Sequence, residues 1–304
     1  MASLLTRMFL SLYCAFFLIL SPASAEQEKS PEDLKVEQLF KKNDHLIVYG
    51  PASVTLGDQA HMTIQRGQSF IPPALARQAF EIFSKNSKTE NLMGMVVPGL
   101  PGDEKVEDEW GAVVLYFTPI GFVRDDDAKS WQLNKLLDSI RASTEKSNEQ
   151  KRAQGRPEQE VTGWVEPPHY DAHTHQLLWS IRVQDKGKPD TAYAAYNTAA
   201  LGRYGMLNFL FATEAAKLPE RKDLAAKLLG TIQFNDGKRY QDYAEGTDKV
   251  AEVGLAALIG GIAAKKLGLF AILVGVLAKW GKLVAGATVG LTALLKFRKK
   301  KKNA

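Results

Sequence analysis

The chemistry-bearing residues of this chain are concentrated in one short segment. Three of the five histidines fall within seven residues, and an aspartate lies between them. In an extended segment, residues two apart point to the same side. Imidazole and carboxylate groups are ligands for zinc, copper or nickel. One interpretation is therefore a divalent metal site, or a metal-assisted hydrolytic site with Glu166 nearby, formed by His169, Asp171, His173 and His175.

A packing interpretation of the same segment is the preferred one. Alternate residues from position 175 onwards form an apolar stripe: His175, Leu177, Trp179, Ile181 and Val183. This period is typical of a half-buried strand, and it predicts that His175 is a hydrogen-bonded core residue. A catalytic acid–base role stays open. The adjacent Pro167 and Pro168 predict a bend that breaks a flat row of ligands.

A second acidic cluster, Asp125, Asp126 and Asp127, precedes a predicted helix. The apolar stripe of that helix is Trp131, Leu133, Leu136, Leu137 and Ile140. Carboxylates at a helix N-terminus cap free amides and interact favourably with the helix dipole, so we expect a cap. The alternative is a calcium or magnesium site, because these ions prefer oxygen ligands.

Motifs of known enzyme classes are absent from the sequence. It has no Gly-x-Ser-x-Gly elbow, His-Glu-x-x-His pair or phosphate loop, and no dinucleotide fingerprint between a strand and a helix. Catalytic triads assemble from distant residues, so an enzyme stays possible. The sequence therefore leaves the catalytic residues unidentified, and the one cofactor it suggests is a divalent metal.

The elements between the two ends predict one α+β domain. Three predicted helices separate groups of strands joined by hairpins, which favours an antiparallel sheet. The polar residues 143–154 are expected to stand off the domain as an exposed arm. The strands are predicted at 60–65, 69–72, 93–97, 110–118, 161–165, 176–184, 191–201, 206–213 and 231–234, and the helices at 74–83, 131–154 and 219–229.

The N-terminus has the features of a secretory signal peptide. A short start containing Arg7 is followed by an apolar run from Met8 to Leu20 and by small residues at Ala23 and Ala25. An uncleaved anchor is the alternative, although spanning takes about 17–25 residues. The single cysteine, Cys14, lies inside the run. Cleavage after Ala25 would leave a mature chain without a thiol.

The C-terminus predicts a membrane anchor. Residues 253–295 are apolar apart from four lysines, and the chain ends in a cluster of basic residues. We expect one tilted span within 267–295, with its basic end in the cytoplasm. The alternative is an amphipathic hairpin lying on anionic lipid. Gly286 and Gly290 fit the close-packing motif of membrane dimers, a pattern that a Gly- and Ala-rich composition also produces by chance.

Charge is divided unevenly along the chain. The net charge is +5 over 304 residues, yet residues 251–304 carry ten basic residues and one acidic residue. Residues 26–250 are mildly acidic, with 28 basic and 33 acidic residues. A nucleic-acid-binding surface needs basic residues clustered on the folded domain, so we expect no nucleic-acid partner. The predicted organisation is a signal peptide (1–25), an extracytoplasmic domain (26–250), an anchoring region (251–295) and a cytoplasmic tail (296–304).

Several strings resemble one family of proteins. They are Trp110–Val114, Gly121–Ala128, Gly163–Asp171, Thr174–Trp179, Leu201–Arg203 and Phe234–Tyr240. Together with the two ends, they resemble the bacterial membrane-anchored proteins grouped as domain-of-unknown-function family 2167. The resemblance covers nearly the whole mature chain and implies secretion and a membrane anchor, but no reaction. The final strand–helix–strand order is also similar in shape to the photosystem-associated extrinsic protein fold, and shape alone implies no function.

The expected function is a non-catalytic interaction or scaffold domain on the periplasmic side of the inner membrane. The expected partners are membrane lipid and another envelope protein, and the membrane helix can support an oligomer. The alternative is a metal-binding or metal-assisted hydrolytic protein using residues 169–175.

Overall fold

A computed structural model of the protein describes residues 31–83, 89–98, 112–153, 155, 157–214 and 227–260. Within them the chain forms four α-helices and eleven strands. The helices are α1 (Pro31–Lys42), α2 (Pro73–Phe83), α3 (Leu133–Ala153) and α4 (Leu255–Ile259). The strands are β1 (Val48–Tyr49), β2 (Ala52–Leu56), β3 (Ala60–Ile64), β4 (Gln68–Ile71), β5 (Leu92–Pro98), β6 (Val113–Thr118), β7 (Gln159–Asp171), β8 (Gln176–Asp185), β9 (Lys188–Gly202), β10 (Gly205–Glu214) and β11 (Ile232–Phe234).

Two antiparallel sheets organise these elements. The larger has eight strands in the order β1-β4-β5-β6-β10-β9-β8-β7, and the smaller has three in the order β11-β3-β2. Every pairing within them is antiparallel. The β9–β10 hairpin turns between Gly202 and Gly205, as the sequence predicts. The predicted α+β class with an antiparallel sheet is confirmed.

The two faces of the large sheet bury separate apolar clusters. One cluster joins Leu177 of the sheet to Phe40, Phe80, Ile140 and Leu255 from the four helices. The other joins the opposite face to the small sheet and to the helical residues 227–229, and includes Met62, Leu115, Phe209 and Leu228. All six residues of β6 are buried because the strand is covered on both faces. A strand in that position has a continuous apolar run in its sequence.

The helices differ from the prediction at several points. Helix α1 forms within the charged segment 26–44, for which helical and loose structure were both open, and α4 lies near the start of the predicted helical region 251–295. Only residues 227–229 of the predicted helix 219–229 lie among the described residues. Helix α3 starts at Leu133, so Trp131 packs against the core from outside the helix. Leu136 and Ile140 are buried as predicted, whereas Leu133 is 41% exposed.

The expectation of an exposed arm at 143–154 is wrong. The second half of α3 packs against β7, and Asn148 and Lys151 are buried at 0% and 2% exposure. The side-chain amide of Asn148 donates from Nδ2 to the backbone carbonyl of Gln159 at 2.8 Å. Its Oδ1 accepts the backbone N–H of Gln159 at 2.9 Å. Lys151 Nζ donates to Gln159 Oε1. A polar sequence is buried here because its polar groups find partners on the neighbouring strand.

The proline pair does not end β7. The strand runs through Pro167 and Pro168 to Asp171, and its pairing with β8 shifts register between Glu166 and His169. Proline is tolerated because β7 is at the edge of the sheet, where no N–H donor is needed on the open side.

The fold continues past residue 250, where the anchoring region was predicted to begin. Leu255, Leu258 and Ile259 are buried in the helix-side core. Ala251 donates its N–H to the carbonyl of Phe122 at 2.8 Å, so the segment is tied to the loop that follows β6. No helix among the described residues is both long and apolar enough to cross a bilayer. Gly286 and Gly290 lie outside the described residues, as does the predicted signal peptide.

Candidate functional site

The β7–β8 turn places His175 differently from the prediction. Strand β8 begins at Gln176, so His175 belongs to the turn, where its φ of +53° is in the left-handed region. Left-handed backbone is uncommon for residues other than glycine and marks positions that the surrounding structure imposes. The prediction that His175 continues the stripe of β8 is therefore wrong, although Leu177 and Val183 of that stripe are buried in the core.

Asp171 holds the turn in this conformation. Its carboxylate accepts the backbone N–H of His173 and the hydroxyl of Thr174, each at 2.8 Å. These hydrogen bonds, that from His173 above all, hold the pKa of Asp171 below its usual range. The aspartate that was a candidate metal ligand thus has a local structural role.

The four candidate metal ligands do not converge. His169 and His173 are exposed, whereas the His175 ring is half-buried beside Tyr170. Across the described part of the chain, no three His, Cys, Asp or Glu side chains lie close enough together to hold a metal ion. Spacing of two placed these residues on one side of an ideal strand, but the chain turns before His173 and so separates them.

Tyr170 instead links His175 to the second predicted cluster. Its hydroxyl lies 2.8 Å from Asp125 Oδ2 and 3.0 Å from His175 Nδ1. The hydroxyl has one proton, and an ionised carboxylate only accepts. Tyr170 therefore donates to Asp125 and accepts from the N–H at Nδ1. This assignment leaves His175 Nε2 as the unprotonated, hydrogen-bond-accepting nitrogen of the ring.

Burial reinforces that state of the ring. Partial burial lowers the pKa of His175, an effect that the charges of Asp125 and Asp171 only partly oppose. Burial, and then the hydrogen bond to Asp125, raise the pKa of Tyr170. At neutral pH both rings are therefore uncharged.

A column of three aromatic rings supports His175 from one side. The His175 ring stacks on Tyr240 with centroids 4.0 Å apart, Tyr240 contacts Phe122 at 4.5 Å, and Phe122 stacks on Tyr243 at 3.9 Å. The Tyr240 hydroxyl donates to the Val123 carbonyl at 2.9 Å. The ring of His175 is therefore fixed both at its edge, by Tyr170, and at one face.

The segment that carries Tyr240, residues 235–250, is here called the C-terminal strap. Arg203 binds the strap through two hydrogen bonds to Asp248, from Nε to Oδ2 at 2.7 Å and from Nη2 to Oδ1 at 2.9 Å. Arg203 and the N–H of Ala244 hold the pKa of Asp248 below its usual range. Gly121, at φ +95°, lets the strap approach closely, since a Cβ there would lie 2.4 Å from the Lys249 carbonyl oxygen. The strap is thus a fixed wall of the site.

His175 and the strap form two walls of an open pocket of about 600 Å³. The third wall is the small sheet, where His61 of β3 lies beside β11. Volumes of roughly 300–1,000 Å³ are usual for small-molecule sites. The lining residues are His61, Thr174, His175, Leu201, Gln233, Phe234, Asn235, Asp236, Arg239, Tyr240 and Gln241.

His61 lies between two amide side chains, and a neutral imidazole can donate to only one of their oxygens. Its Nε2 lies 3.0 Å from Gln233 Oε1, and its Nδ1 lies 3.4 Å from Asn235 Oδ1. The orientation of the Asn235 amide is set by its donation to the Asp58 carbonyl at 2.9 Å. His175 Nε2, by contrast, forms no hydrogen bond with any described residue, and it is the ring nitrogen left available to a ligand.

The three candidate aspartates have separate roles. Asp125 accepts from Tyr170, and Asp126 is exposed. Asp127 caps α4, with its Oδ1 accepting from Leu255 N at 3.1 Å and its Oδ2 from Ala256 N at 2.9 Å. The predicted cap therefore exists, but on a helix 128 residues further along the chain rather than on α3. The three carboxylates do not form one oxygen site.

Sequence reasoning missed Tyr170, Tyr240 and His61. Hydroxyl and ring contacts between residues far apart in sequence have no local pattern. A signal was nevertheless present, because four of the strings that carry the family resemblance supply either pocket-lining residues or the residues that hold His175. They are Gly121–Ala128, Gly163–Asp171, Thr174–Trp179 and Phe234–Tyr240.

Comparison with known proteins identifies the family and no activity. Residues 48–290 match the family described as protein of unknown function DUF2167, and the chain belongs to that family. No curated protein matches the chain in sequence.

Among solved structures, the solution structure of cyanobacterial PsbP (CyanoP) from Synechocystis sp. PCC 6803 covers 60% of this chain and 92% of its own, at 8% identity and a TM-score of 0.34. Similarity at that level carries no argument about what this protein does.

Proposed function

We propose that this protein is a membrane-tethered component of the bacterial envelope whose folded domain is a non-catalytic binding module. Its binding site is the pocket between His61, His175 and the C-terminal strap. Its expected partners are another envelope protein and the membrane lipid. The pocket itself binds a small polar ligand.

The proposed location rests on the two ends of the chain. The N-terminus has the basic start, apolar run and small residues of a signal peptide. The C-terminus has an apolar region of sufficient length followed by a basic end, which favours retention of that end in the cytoplasm. On this proposal the domain is periplasmic and the protein crosses the inner membrane once.

The observation that carries the binding function is the preorganised acceptor in the pocket. Asp125 and Tyr170 fix the tautomer of His175, and Tyr240 fixes its ring plane. A group held in this way binds without paying the entropy of ordering its side chain. The lining hydroxyl of Thr174 donates to Asp171 and not to His175, an arrangement that favours binding over nucleophilic catalysis.

Thermal unfolding of the full-length protein in detergent, with single small molecules added, tests this function. The compounds are maltose, N,N′-diacetylchitobiose, citrate, glutamate, spermidine and zinc chloride. A ligand that binds only the folded state raises the melting temperature in proportion to its occupancy. We expect at least one compound to raise it, and the rise to be lost in Thr174→Trp, which places an indole at the mouth of the pocket.

His173→Trp is the matched control, because His173 is an exposed residue of the same turn that does not line the pocket. It should retain the response. If no compound shifts the melting temperature, or if Thr174→Trp responds like His173→Trp, the pocket is not a binding site. A zinc response that is abolished by His173→Ala would favour the metal-binding alternative instead.

A further inference from the structure

We infer that the pocket recognises a neutral, hydroxyl-rich ligand of the saccharide class, with a ligand hydroxyl donating to His175 Nε2. This inference rests on the proposed binding function and specifies its ligand. Three features of the pocket carry it: the fixed polarity of His175, the balance of formal charge and the mixture of donors and acceptors.

The polarity of His175 requires a donor on the ligand. Its Nδ1 proton is committed to Tyr170, whose own proton is committed to Asp125. The nitrogen that remains, Nε2, offers a lone pair and no proton. An ionised carboxylate or phosphate oxygen has no proton to donate to Nε2, so the lone pairs of the two atoms would repel each other. A ligand hydroxyl or N–H group could donate a hydrogen bond to Nε2.

The charge balance of the lining argues against a strongly charged ligand. Among the described residues that line the pocket, Asp236 and Arg239 are the only ones with Asp, Glu, Lys or Arg side chains, and they are paired with each other through Oδ1 and Nη2. A charged ligand would have to break this pair or leave its own charge without a partner. The Asp236 and Arg239 side chains are 92% and 45% exposed, so their pairing contributes little by itself, and the lining offers a charged ligand no unpaired charge of opposite sign.

The remaining polar groups alternate donors with acceptors. Gln233 Oε1 lies 3.0 Å from His61 Nε2, and the Gln233 amide nitrogen forms no hydrogen bond with the described residues. The side chain of Gln241 is exposed and likewise forms none. An anion needs donors alone, and a cation needs acceptors alone. Hydroxyl groups both donate and accept, so a polyhydroxylated molecule matches this mixture.

Apolar lining completes the match. Leu201 and Phe234 present carbon surface beside the polar groups. The ring faces of a saccharide are built from C–H groups, while its edges carry the hydroxyls. In this pocket the apolar side chains are a minor part of a mostly polar lining.

The test is a titration of the full-length protein in detergent with maltose and N,N′-diacetylchitobiose, followed by the imidazole ¹⁵N resonances of its histidines. We expect saturable binding of at least one of them and no competing binding of citrate or spermidine. His175→Asn, whose side chain tolerates left-handed backbone, should weaken binding about three- to tenfold, the effect of losing one neutral hydrogen bond. The exposed His169, changed to Asn, is the matched control and should bind as the wild type does.

Two further measurements keep the test informative if His175→Asn folds poorly. Gln241→Ala changes an exposed side chain, and it should also weaken saccharide binding. In Tyr170→Phe, the His175 ¹⁵N shifts should move from the Nδ1–H tautomer towards a mixture of tautomers, with a parallel loss of affinity. That spectroscopic change identifies Tyr170 as a positioning residue rather than a residue needed only for folding.

The outcomes separate this inference from the proposed function. If citrate or spermidine binds in the pocket and neither saccharide does, the ligand class is wrong while the binding function stands. If a saccharide binds equally well to His175→Asn and Gln241→Ala, it does not use this pocket and the inference is overturned. If no compound of any class binds, both the inference and the binding function fail.

Discussion

Replacing Tyr170 with Phe tests the hydrogen-bond chain on which the site depends. The change removes one oxygen and keeps the ring, so packing is retained while two hydrogen bonds are lost. These bonds join Tyr170 to Asp125 at 2.8 Å and to His175 at 3.0 Å. Asp125 loses the Tyr170 donor and keeps its interaction with the Tyr240 hydroxyl, whereas His175 loses the partner that sets its tautomer.

The magnitude follows from the kind of hydrogen bond lost. A hydrogen bond to a charged group contributes roughly 1.5–3 kcal/mol and a neutral one roughly 0.5–1.5 kcal/mol. Tyr170 and His175 are only half-buried, so water replaces part of what is removed. We therefore expect Tyr170→Phe to lower the free energy of unfolding by about 1–2 kcal/mol.

Equilibrium unfolding in urea measures this loss as a shift of the midpoint at unchanged slope. Tyr204→Phe is the matched control, because Tyr204 is 36% exposed and its hydroxyl bonds to no described residue, while its ring contacts Arg203 and Lys238. Its effect should be within about 0.5 kcal/mol of zero.

A double-mutant cycle with Asp125→Asn then isolates the Tyr170–Asp125 contact. The two changes should be non-additive by at least about 0.5 kcal/mol, the low end for contacting residues. A loss in Tyr170→Phe no larger than that in Tyr204→Phe, or full additivity in the cycle, would refute the reasoning and remove the basis for a fixed His175 tautomer.

Three other predictions concern helix capping, pH and processing. Asp127→Ala should destabilise the protein by about 1 kcal/mol through loss of the α4 cap, whereas Asp126→Ala should be nearly silent; equal effects in urea unfolding would contradict this assignment. Burial lowers the pKa of folded His175 below the unfolded value of 6.5, so the unfolded state binds more protons as the pH falls. The free energy of unfolding should therefore fall below about pH 6.5, and it should fall less in His175→Asn. If the free energies of unfolding of the two proteins change in parallel with pH, His175 is not a buried, neutral ring. Intact-mass analysis of membrane-extracted protein should show a mature N-terminus at Glu26, and a cytoplasm-dependent reporter fused after Ala304 should be active. A full-length mass would exclude cleavage, and release of the protein by alkaline carbonate would exclude the span.

Local patterns in the sequence were sufficient to predict most of the architecture. The strands β3, β5, β6 and β8 to β10 follow from short apolar or alternating runs, and the β9–β10 hairpin from Gly202 and Gly205. Helix α2 follows from the spacing of Ala76 and Phe80, both of which are buried. These elements are predictable because burial of one face or one run is recorded in neighbouring residues.

The polar half of α3 shows where that reasoning fails. Its sequence has no apolar stripe, yet Asn148 and Lys151 are buried because Gln159 satisfies their hydrogen bonds. A side chain's polarity is a property of the sequence, whereas its solvation depends on which strand lies opposite. Only the tertiary structure supplies that strand.

The candidate site divides in the same way. The sequence by itself identified Asp125 and His175 as residues of interest, but as members of two separate clusters. The tertiary structure joined them through Tyr170, which lies 45 residues from Asp125, and set His175 against Tyr240 of the C-terminal strap. Residue type is written in the sequence, but the tautomer and accessibility of an imidazole depend on contacts a few ångströms away, made by residues that only the folded chain brings together.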